Sequence, residues 1–221
     1  KISGNWITLS GIKFQDGDRK DNSASVKNKG NHIENPVAPL ISVSGSFNRI
    51  TSCSIDDFDG AHGLWGDLNG FSNRIDHCSF TNKLTHGNFW NIGTQKEGAY
   101  HRIDHNKFSR PNIKSDSASS LRLGSGYVAD HSARIIVEHN VFEACDGEGE
   151  VISDKCSDNI HRYNQYLNCN GVLSLRQAKR THVYGNSFIR DDSFEKSTTA
   201  KVRPFGIGVR EGEHLIENNY F

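Results

Sequence analysis

Short runs of alternating polar and apolar residues recur along the whole chain and share one template. Each copy has a small polar residue, Cys or Asn, followed two positions later by a large apolar residue. The small residues are Cys53, Cys78, Asn106, Asn140, Asn164, Asn186 and Asn219, and the apolar partners are Ile55, Phe80, Phe108, Phe142, Tyr166, Phe188 and Phe221. The copies are spaced by roughly two to three dozen residues, so the chain is built from repeats of a single supersecondary unit.

Between these copies the runs SLRLG, GEVIS and GVLSLR alternate with period two, which predicts short strands, and no long helical stripe is present. Short strands on a repeat of this length predict an all-β right-handed parallel β-helix, a solenoid of about eight coils. Equivalent residues of successive coils then stack about 4.8 Å apart, with the Asn residues in ladders and the large apolar residues in the interior. A leucine-rich repeat is the nearest competitor, but its Leu spacing is absent.

Residues 1–221 are expected to form a single β-helix domain. The chain opens on an apolar segment without an initiator Met or a signal peptide, and it ends inside the repeat template. Because a solenoid without caps exposes unpaired strand edges, we expect this domain to be part of a longer chain. The longest intervals predict polar loops at residues 15–47, 109–120 and 190–204, which either wall a groove or are insertions without a role.

Composition narrows the class of protein. The formal net charge is zero, so no overall electrostatic attraction to nucleic acid or to an anionic membrane is expected. No apolar run approaches the length of about 18 residues that suggests a membrane span. The five cysteines form no CxxC pair, which argues against a zinc ribbon or a thioredoxin-like site. Cys145 and Cys169 fall on adjacent coils, and we expect them to stay reduced.

The segment DGEGEVISDK concentrates the candidate chemistry. Glu148 and Glu150 lie two residues apart, so on a strand they share one face, where two like charges repel each other. A calcium ion would offset this repulsion, because it prefers several oxygen ligands. Two solvated glutamates on a strand face explain the same pattern.

The next coil brings Arg176 towards this segment. Aligning the two repeats on their cysteines predicts that Glu150 lies beside Ser174 and that Ile152 lies beside Arg176. Arg176 would then project from the same face as the glutamates and Lys155. A calcium ion, a lysine and an arginine on one outward face suit an anionic substrate. An ordinary ion pair between Arg176 and the glutamates at the rim also accounts for the arginine.

At this point the chain resembles a known family. The run GEGEVISDKCSDN followed by NCNGVLSLR is similar to the pattern E-x-E-I-I-S-x-K-S, then G-x-L-x-L-R-H-G, of the polysaccharide lyases that include chondroitinase B and the related alginate lyases. DSASSLRLGS resembles the family's N-x-G-G-x-I-R-I-G and puts Asp116 where the family has a calcium-binding Asn. Further matches run through YHRIDHNKF and ENNYF, so the resemblance covers most of the chain.

The resemblance implies β-elimination on a uronic acid polymer. Asp116, Glu148 and Glu150 would hold calcium, which neutralises the substrate carboxylate and makes the adjacent C5 proton more acidic. Lys155 would take that proton as general base. Arg176 would stabilise the departing glycosidic oxygen or donate to it.

Two further basic residues would bind the acidic substrate: Lys83, in CSFTNKLTHGN, and Arg122, in SLRLG. The chain departs from the family where Gln177 and Ala178 replace the His and Gly after the arginine, which puts substrate specificity or rate in doubt. Asp116 in place of Asn keeps an oxygen ligand and adds negative charge, which favours calcium.

We therefore expect a secreted or periplasmic, calcium-dependent lyase that acts on alginate. A chondroitinase B-like lyase on dermatan sulfate is the alternative within the class. A non-catalytic β-helix that binds acidic polysaccharide and a C5 epimerase are alternatives from other classes. The spacing of Lys155 and Arg176 favours catalysis, since a binding protein needs positive charge but not this arrangement.

Overall fold

The computed structural model describes residues 1–15, 39–58, 63–83, 87–110, 118–194 and 201–221. Within these residues the chain winds through three parallel sheets, named I, II and III in the order in which each coil enters them. Every strand pairs with the equivalent strand of the coil before and the coil after. This arrangement is the parallel β-helix that the repeats predicted.

Sheet I contains one strand from each of eight coils: β1 (Thr8–Ser10), β4 (Arg49–Thr51), β7 (Arg74–Asp76), β10 (Arg102–Asp104), β13 (Ile136–Glu138), β16 (Ile160–Arg162), β19 (His182–Tyr184) and β22 (Leu215–Glu217). Sheet II contains seven: β2 (Lys13–Gln15), β5 (Ser54–Asp56), β8 (Ser79–Thr81), β11 (Lys107–Ser109), β14 (Val141–Glu143), β17 (Gln165–Leu167) and β20 (Ser187–Ile189).

Sheet III also contains seven strands, and it carries the candidate site: β3 (Ile41–Val43), β6 (Gly66–Leu68), β9 (Trp90–Ile92), β12 (Leu121–Leu123), β15 (Glu150–Asp154), β18 (Val172–Leu175) and β21 (Gly206–Val209). A single 3-10 turn, Gly126–Val128, follows β12. In the part of the chain that the structure describes, no helix has the length and apolar character needed to cross a membrane.

The predicted apolar column fills the interior of the solenoid. Phe108 pairs with Phe80 on one side and with Phe142 on the other, and the rings of Phe108 and Phe142 stack with their centroids 5.0 Å apart. Tyr166 and Phe188 continue the column, and all five rings are buried. Stacking of like rings lets a narrow coil bury large side chains without leaving voids.

The predicted asparagine ladder closes the turn between sheets I and II. Asn140 accepts a hydrogen bond from the backbone N–H of Asn106 at 3.0 Å and donates its amide to the carbonyl of Ile103 at 2.8 Å. The residue before each ladder position bends the chain, as at His139, which has a φ of 53°. The buried amides thus satisfy backbone groups that the bend leaves unpaired. The five cysteines, Cys145 and Cys169 among them, are free thiols.

One predicted loop contains a strand. Residues 41–43, within the loop predicted at 15–47, form β3, which pairs with β6. The prediction of a continuous loop was wrong because the polar insertion obscures the three-residue alternation ISV. Residues 16–38 and 111–117, and with them Asp116, lie outside the described residues.

Candidate active site

A row of residues, one from each coil, follows the last residue of each sheet III strand. The backbone N–H of Lys155 donates to the carbonyl of Leu123 at 2.9 Å, that of Arg176 to Asp154 at 2.9 Å, and that of Arg210 to Leu175 at 3.3 Å. Because the preceding residues point into the interior, strand alternation directs this row outward. The structure thus aligns three cationic side chains on consecutive coils, and we name Lys155, Arg176 and Arg210 the basic row.

The register that brings these residues together differs from the predicted one. Ile152 pairs with Leu173, not with Arg176, and Glu150 pairs with Val172. The chain takes two residues more from Cys145 to Glu150 than from Cys169 to Val172, and a β-bulge between Glu150 and Ile152 adds one more. Aligning the coils on their cysteines missed both differences, since extra residues after the cysteine leave no mark on the repeat template. The prediction that Arg176 lies beside Ile152 was therefore wrong.

Glu150 is the anionic centre beside the basic row. Its side chain accepts a hydrogen bond from the Ser174 hydroxyl at 3.0 Å and pairs with Arg176 at 3.3 Å. Arg210 lies 3.9 Å from the other carboxylate oxygen. The side chain of Glu150 thus contacts Ser174, its predicted neighbour, and Arg176, although the backbone register differs from the predicted one. The ion pair expected for a rim arginine is present, so Arg176 is neutralised on one side.

Glu148 lies closer to the coil before. Its carboxylate accepts a hydrogen bond from the Ser119 hydroxyl, and its side chain is partly exposed. Among the described residues no three His, Cys, Asp or Glu side chains converge as metal ligands. Glu148 precedes β15, so the expectation that both glutamates lie on one strand face was wrong, because the strand begins only at Glu150. Each carboxylate nevertheless lies beside a serine hydroxyl, and oxygen atoms of this kind are the ligands that calcium prefers. The third predicted ligand, Asp116, lies outside the described residues.

Lys155 is half-buried in this charged environment. Burial is the largest cause that lowers the pKa of Lys155 from its ordinary value, followed by the positive charges of Arg122 and Arg176. Glu150 and Glu148 act in the opposite direction. A lowered pKa increases the fraction of neutral amine near neutral pH, and only the neutral amine can accept a proton. The lowered pKa agrees with the predicted role of Lys155 as general base, which stays a prediction.

Arg122 lies on the outer face of sheet III, where it pairs with Asn91 on one side and with Ser153 on the other. It lines a cavity of about 240 Å³ together with Asp67 and Asn91. The Nε of Arg122 and the hydroxyl of Ser153 are buried and have no hydrogen-bond partner among the described residues. Unpaired polar atoms beside a cavity are suited to hold a ligand.

Lys83 occupies a different environment from the one predicted. Its side chain is fully buried, and its ammonium lies 5.5 Å from the centroid of the Trp65 ring. This geometry is that of a cation–π contact within the coil rather than of an open groove surface. Trp65 and Trp90 both belong to the core. Substrate binding by Lys83 stays a prediction that this burial does not favour.

Arg210 was not among the site residues predicted from the sequence. The sequence does contain a pattern that predicts its position, because FGIGVR in the seventh coil repeats GVLSLR in the sixth. The insertion at 190–204 lengthens the interval between the two copies and hides the match.

Comparison with known proteins identifies the family to which the chain belongs. The family model described as Chondroitinase B matches residues 1–221, so the chain belongs to this family. No curated protein sequence matches the chain.

Solved structures agree with this assignment. A mannuronic acid specific polysaccharide family 6 lyase from human gut microbiota is 30% identical with a TM-score of 0.69, over 80% of this chain and 40% of that one. A point mutant of the family 6 alginate lyase AlyGC is 25% identical with a TM-score of 0.75, over 96% and 28%. The alginate lyase AlyF-OU02, in complex with G6, is 18% identical with a TM-score of 0.78, over 100% and 46%, a likeness that shows the fold alone. The chain spans less than half the length of each.

Proposed function

We propose that this protein is a polysaccharide lyase that cleaves alginate by β-elimination at a uronic acid residue. The observation that carries the proposal is the position of Lys155, a lysine whose pKa is lowered, next to Arg176 in the basic row and facing Glu148 and Glu150. Three cations on consecutive coils suit a polyanion. A relative described as a family 6 alginate lyase and another described as a mannuronic acid specific family 6 lyase support the choice of polymer. Because alginate is a large polymer, a secreted or periplasmic location is part of the proposal.

The residues of this chain account for each bond that changes. Neutral Lys155 accepts the C5 proton of the uronate, and the electrons of that C–H bond form the C4–C5 double bond as the C4–O bond breaks. Arg176 stabilises the negative charge that develops on the departing oxygen. A guanidinium holds its own proton tightly, so its contribution is electrostatic, and the leaving oxygen takes its proton from water. The product carries a 4,5-unsaturated uronate at its new non-reducing end.

Calcium is part of the proposed site. Glu148 and Glu150 would hold it, together with Asp116, which lies outside the described residues. When bound, the ion supplies positive charge that neutralises the substrate carboxylate and acidifies the C5 proton. Arg122 and Arg210 flank these residues on the outer face and would hold the carboxylates of neighbouring sugars.

The test is the ultraviolet absorbance of the conjugated uronate product. The protein is incubated with calcium and, in separate reactions, with polymannuronate, polyguluronate, mixed alginate and dermatan sulfate. A rise on an alginate substrate is expected. A rise on dermatan sulfate alone would assign the chondroitinase activity instead. No rise on any polymer would refute the lyase, and a change in the mannuronate to guluronate ratio without unsaturated product would identify an epimerase.

Lys155→Ala separates catalysis from binding. The variant should turn over about 10² to 10⁴ times more slowly, because the general base is lost. Its affinity for the polymer should change little, because Arg122, Arg176 and Arg210 remain. A variant that keeps its activity while losing affinity would show that Lys155 binds the polymer and does not act as the base.

A further inference from the structure

A buried polar pair lies inside the coil that carries Lys155. At the last inward position of the seven described sheet III strands, the residues are Val43, Leu68, Ile92, Leu123, Asp154, Leu175 and Val209. Asp154 is thus the one charged residue in this apolar column. The opposite wall shows the same pattern, because His161 in β16 lies between Val137 and Val183.

Asp154 and His161 contact each other across the interior. The Nε2 of His161 lies 2.9 Å from one carboxylate oxygen of Asp154, and both side chains are fully buried. Burying a carboxylate and an imidazole is costly unless they are paired, and neighbouring coils fill the same space with Leu and Val. The solenoid therefore does not require this pair for its packing.

The other contacts of Asp154 show what the pair holds. Its second carboxylate oxygen accepts hydrogen bonds from the side chain of Asn159 at 2.9 Å and from the backbone N–H of Cys156 at 3.4 Å. These bonds, with the one to His161, tie both ends of the turn that joins β15 to β16. Lys155 is the first residue of this turn, directly between Asp154 and Cys156.

The backbone of Asp154 also holds two residues of the next coil. Its carbonyl accepts the N–H of Arg176 at 2.9 Å and that of Gln177 at 3.3 Å. If the backbone of Asp154 rotated, the backbone atoms of Lys155 and Arg176 would therefore both shift, and their side chains with them. In elimination chemistry, displacements of about 1 Å at such groups can lower the rate a hundredfold.

We propose that Asp154 and His161 are positioning residues of the active site: the buried pair fixes the turn that presents Lys155 and the strand end that presents Arg176. This proposal rests on the lyase activity proposed above. It adds that the polar pair serves the geometry of the reaction and not the stability of the coil.

The decisive variant is the double substitution D154L/H161V, which gives this coil the residues of its neighbours, Leu123 and Leu175 in one column and Val137 and Val183 in the other. Replacing a buried polar pair by well-packed apolar residues is often neutral or stabilising, but the Cys156 N–H and the Asn159 amide lose their acceptor. The melting temperature should therefore fall by only a few degrees, and kcat is compared at a temperature where the variant is fully folded. We expect kcat to fall about 10- to 100-fold while KM stays within about twofold, because Arg122 and Arg210 are untouched. A kcat within about twofold of wild type would overturn the proposal.

Two single variants complete the experiment. Asp154→Asn keeps an acceptor for Cys156 and Asn159 and can donate to His161, so it should retain most of the wild-type kcat. If it loses as much as the double variant, hydrogen bonding by the pair does not position the site. If the double variant does not fold, Asp154→Asn still tests the proposal by itself: a folded variant with kcat reduced more than about tenfold would overturn it, because the hydrogen bonds of the pair are kept. His101→Asn, a buried histidine in the fourth coil, is the matched control and should leave kcat unchanged.

A readout that needs no turnover separates this proposal from the proposed function. Absence of lyase activity in the wild type would refute the function. In that case amide hydrogen exchange still tests the pair: exchange at Cys156 and Arg176 should be faster in the double variant and unchanged in His101→Asn. Equal protection at these two amides in the double variant and the wild type would overturn the positioning role.

Discussion

The carboxylate of Glu150 lies 3.3 Å from the guanidinium of Arg176 on the following coil. The two residues are far apart in the chain, and the parallel pairing of β15 with β18 brings their side chains together. This contact joins the anionic and cationic halves of the candidate site, because Arg210 approaches the same carboxylate at 3.9 Å. The site is therefore an arrangement across three coils.

The positive charge of Arg122 should contribute to the pH dependence of catalysis. Its charge lowers the pKa of Lys155, so Arg122→Gln should raise that pKa and move the ascending limb of the kcat profile to higher pH. Rates measured across the alkaline range would show the shift. Arg210→Gln is the comparison variant, since Arg210 lies on the far side of Arg176. An ascending limb that moves to lower pH in Arg122→Gln would contradict the assignment of Lys155 as base.

Removal of calcium should abolish the proposed lyase activity. EDTA is expected to abolish turnover and added calcium to restore it, because the substrate carboxylate then lacks its neutralising charge. Calorimetric titration with calcium gives a readout without turnover: Glu148→Gln should bind the ion more weakly than wild type. Unchanged calcium affinity in this variant, or full activity in EDTA, would show that the carboxylates serve another purpose.

Interrupting the asparagine ladder should destabilise the solenoid. Asn140→Ala removes the acceptor of the Asn106 N–H and the donor to the Ile103 carbonyl, and both backbone groups are buried. Each unsatisfied group costs about 1–3 kcal/mol, so the free energy of unfolding in urea should fall by at least about 2 kcal/mol. Ser79→Ala, on the outer face of sheet II, should change it by less than about 0.5 kcal/mol. Equal losses would contradict the structural role of the ladder.

The buried His101 should make the fold sensitive to mild acid. Burial lowers the pKa of His101 to about 4, below the unfolded value near 6.5. Unfolded chains therefore bind a proton that the native state does not, and stability is lost as the pH falls from about 6.5 to about 4. The loss is on the order of 3 kcal/mol at the acid end of this window.

His101→Asn should reduce this acid sensitivity. An asparagine can still accept the N–H of Asn73, which now donates to the ring of His101. His214, whose pKa burial also lowers, keeps part of the dependence in the variant. Melting temperatures at pH 7 and pH 4.5 are the measurement. The same drop in both proteins would show that His101 does not titrate in this range.

The repeat template in the sequence determined the coil. The columns of Asn140 and Phe142 were predictable because each turn is built from local residues whose side chains alternate inward and outward with period two. Glu148, Glu150, Lys155 and Arg176 were recognisable as candidates because the site is formed by two short motifs with fixed internal spacing.

Only the tertiary structure decided how neighbouring coils align. Three features depend on hydrogen bonds between coils, on a bulge and on insertions of different length. They are the pairing of Ile152 with Leu173, the burial of Lys83 and the place of Arg210 in the basic row. Likewise, the sequence places Asp154 beside Lys155 but not in contact with His161. Contacts between coils are set by register, which a repeat template leaves free, and in this protein register assembles the candidate active site.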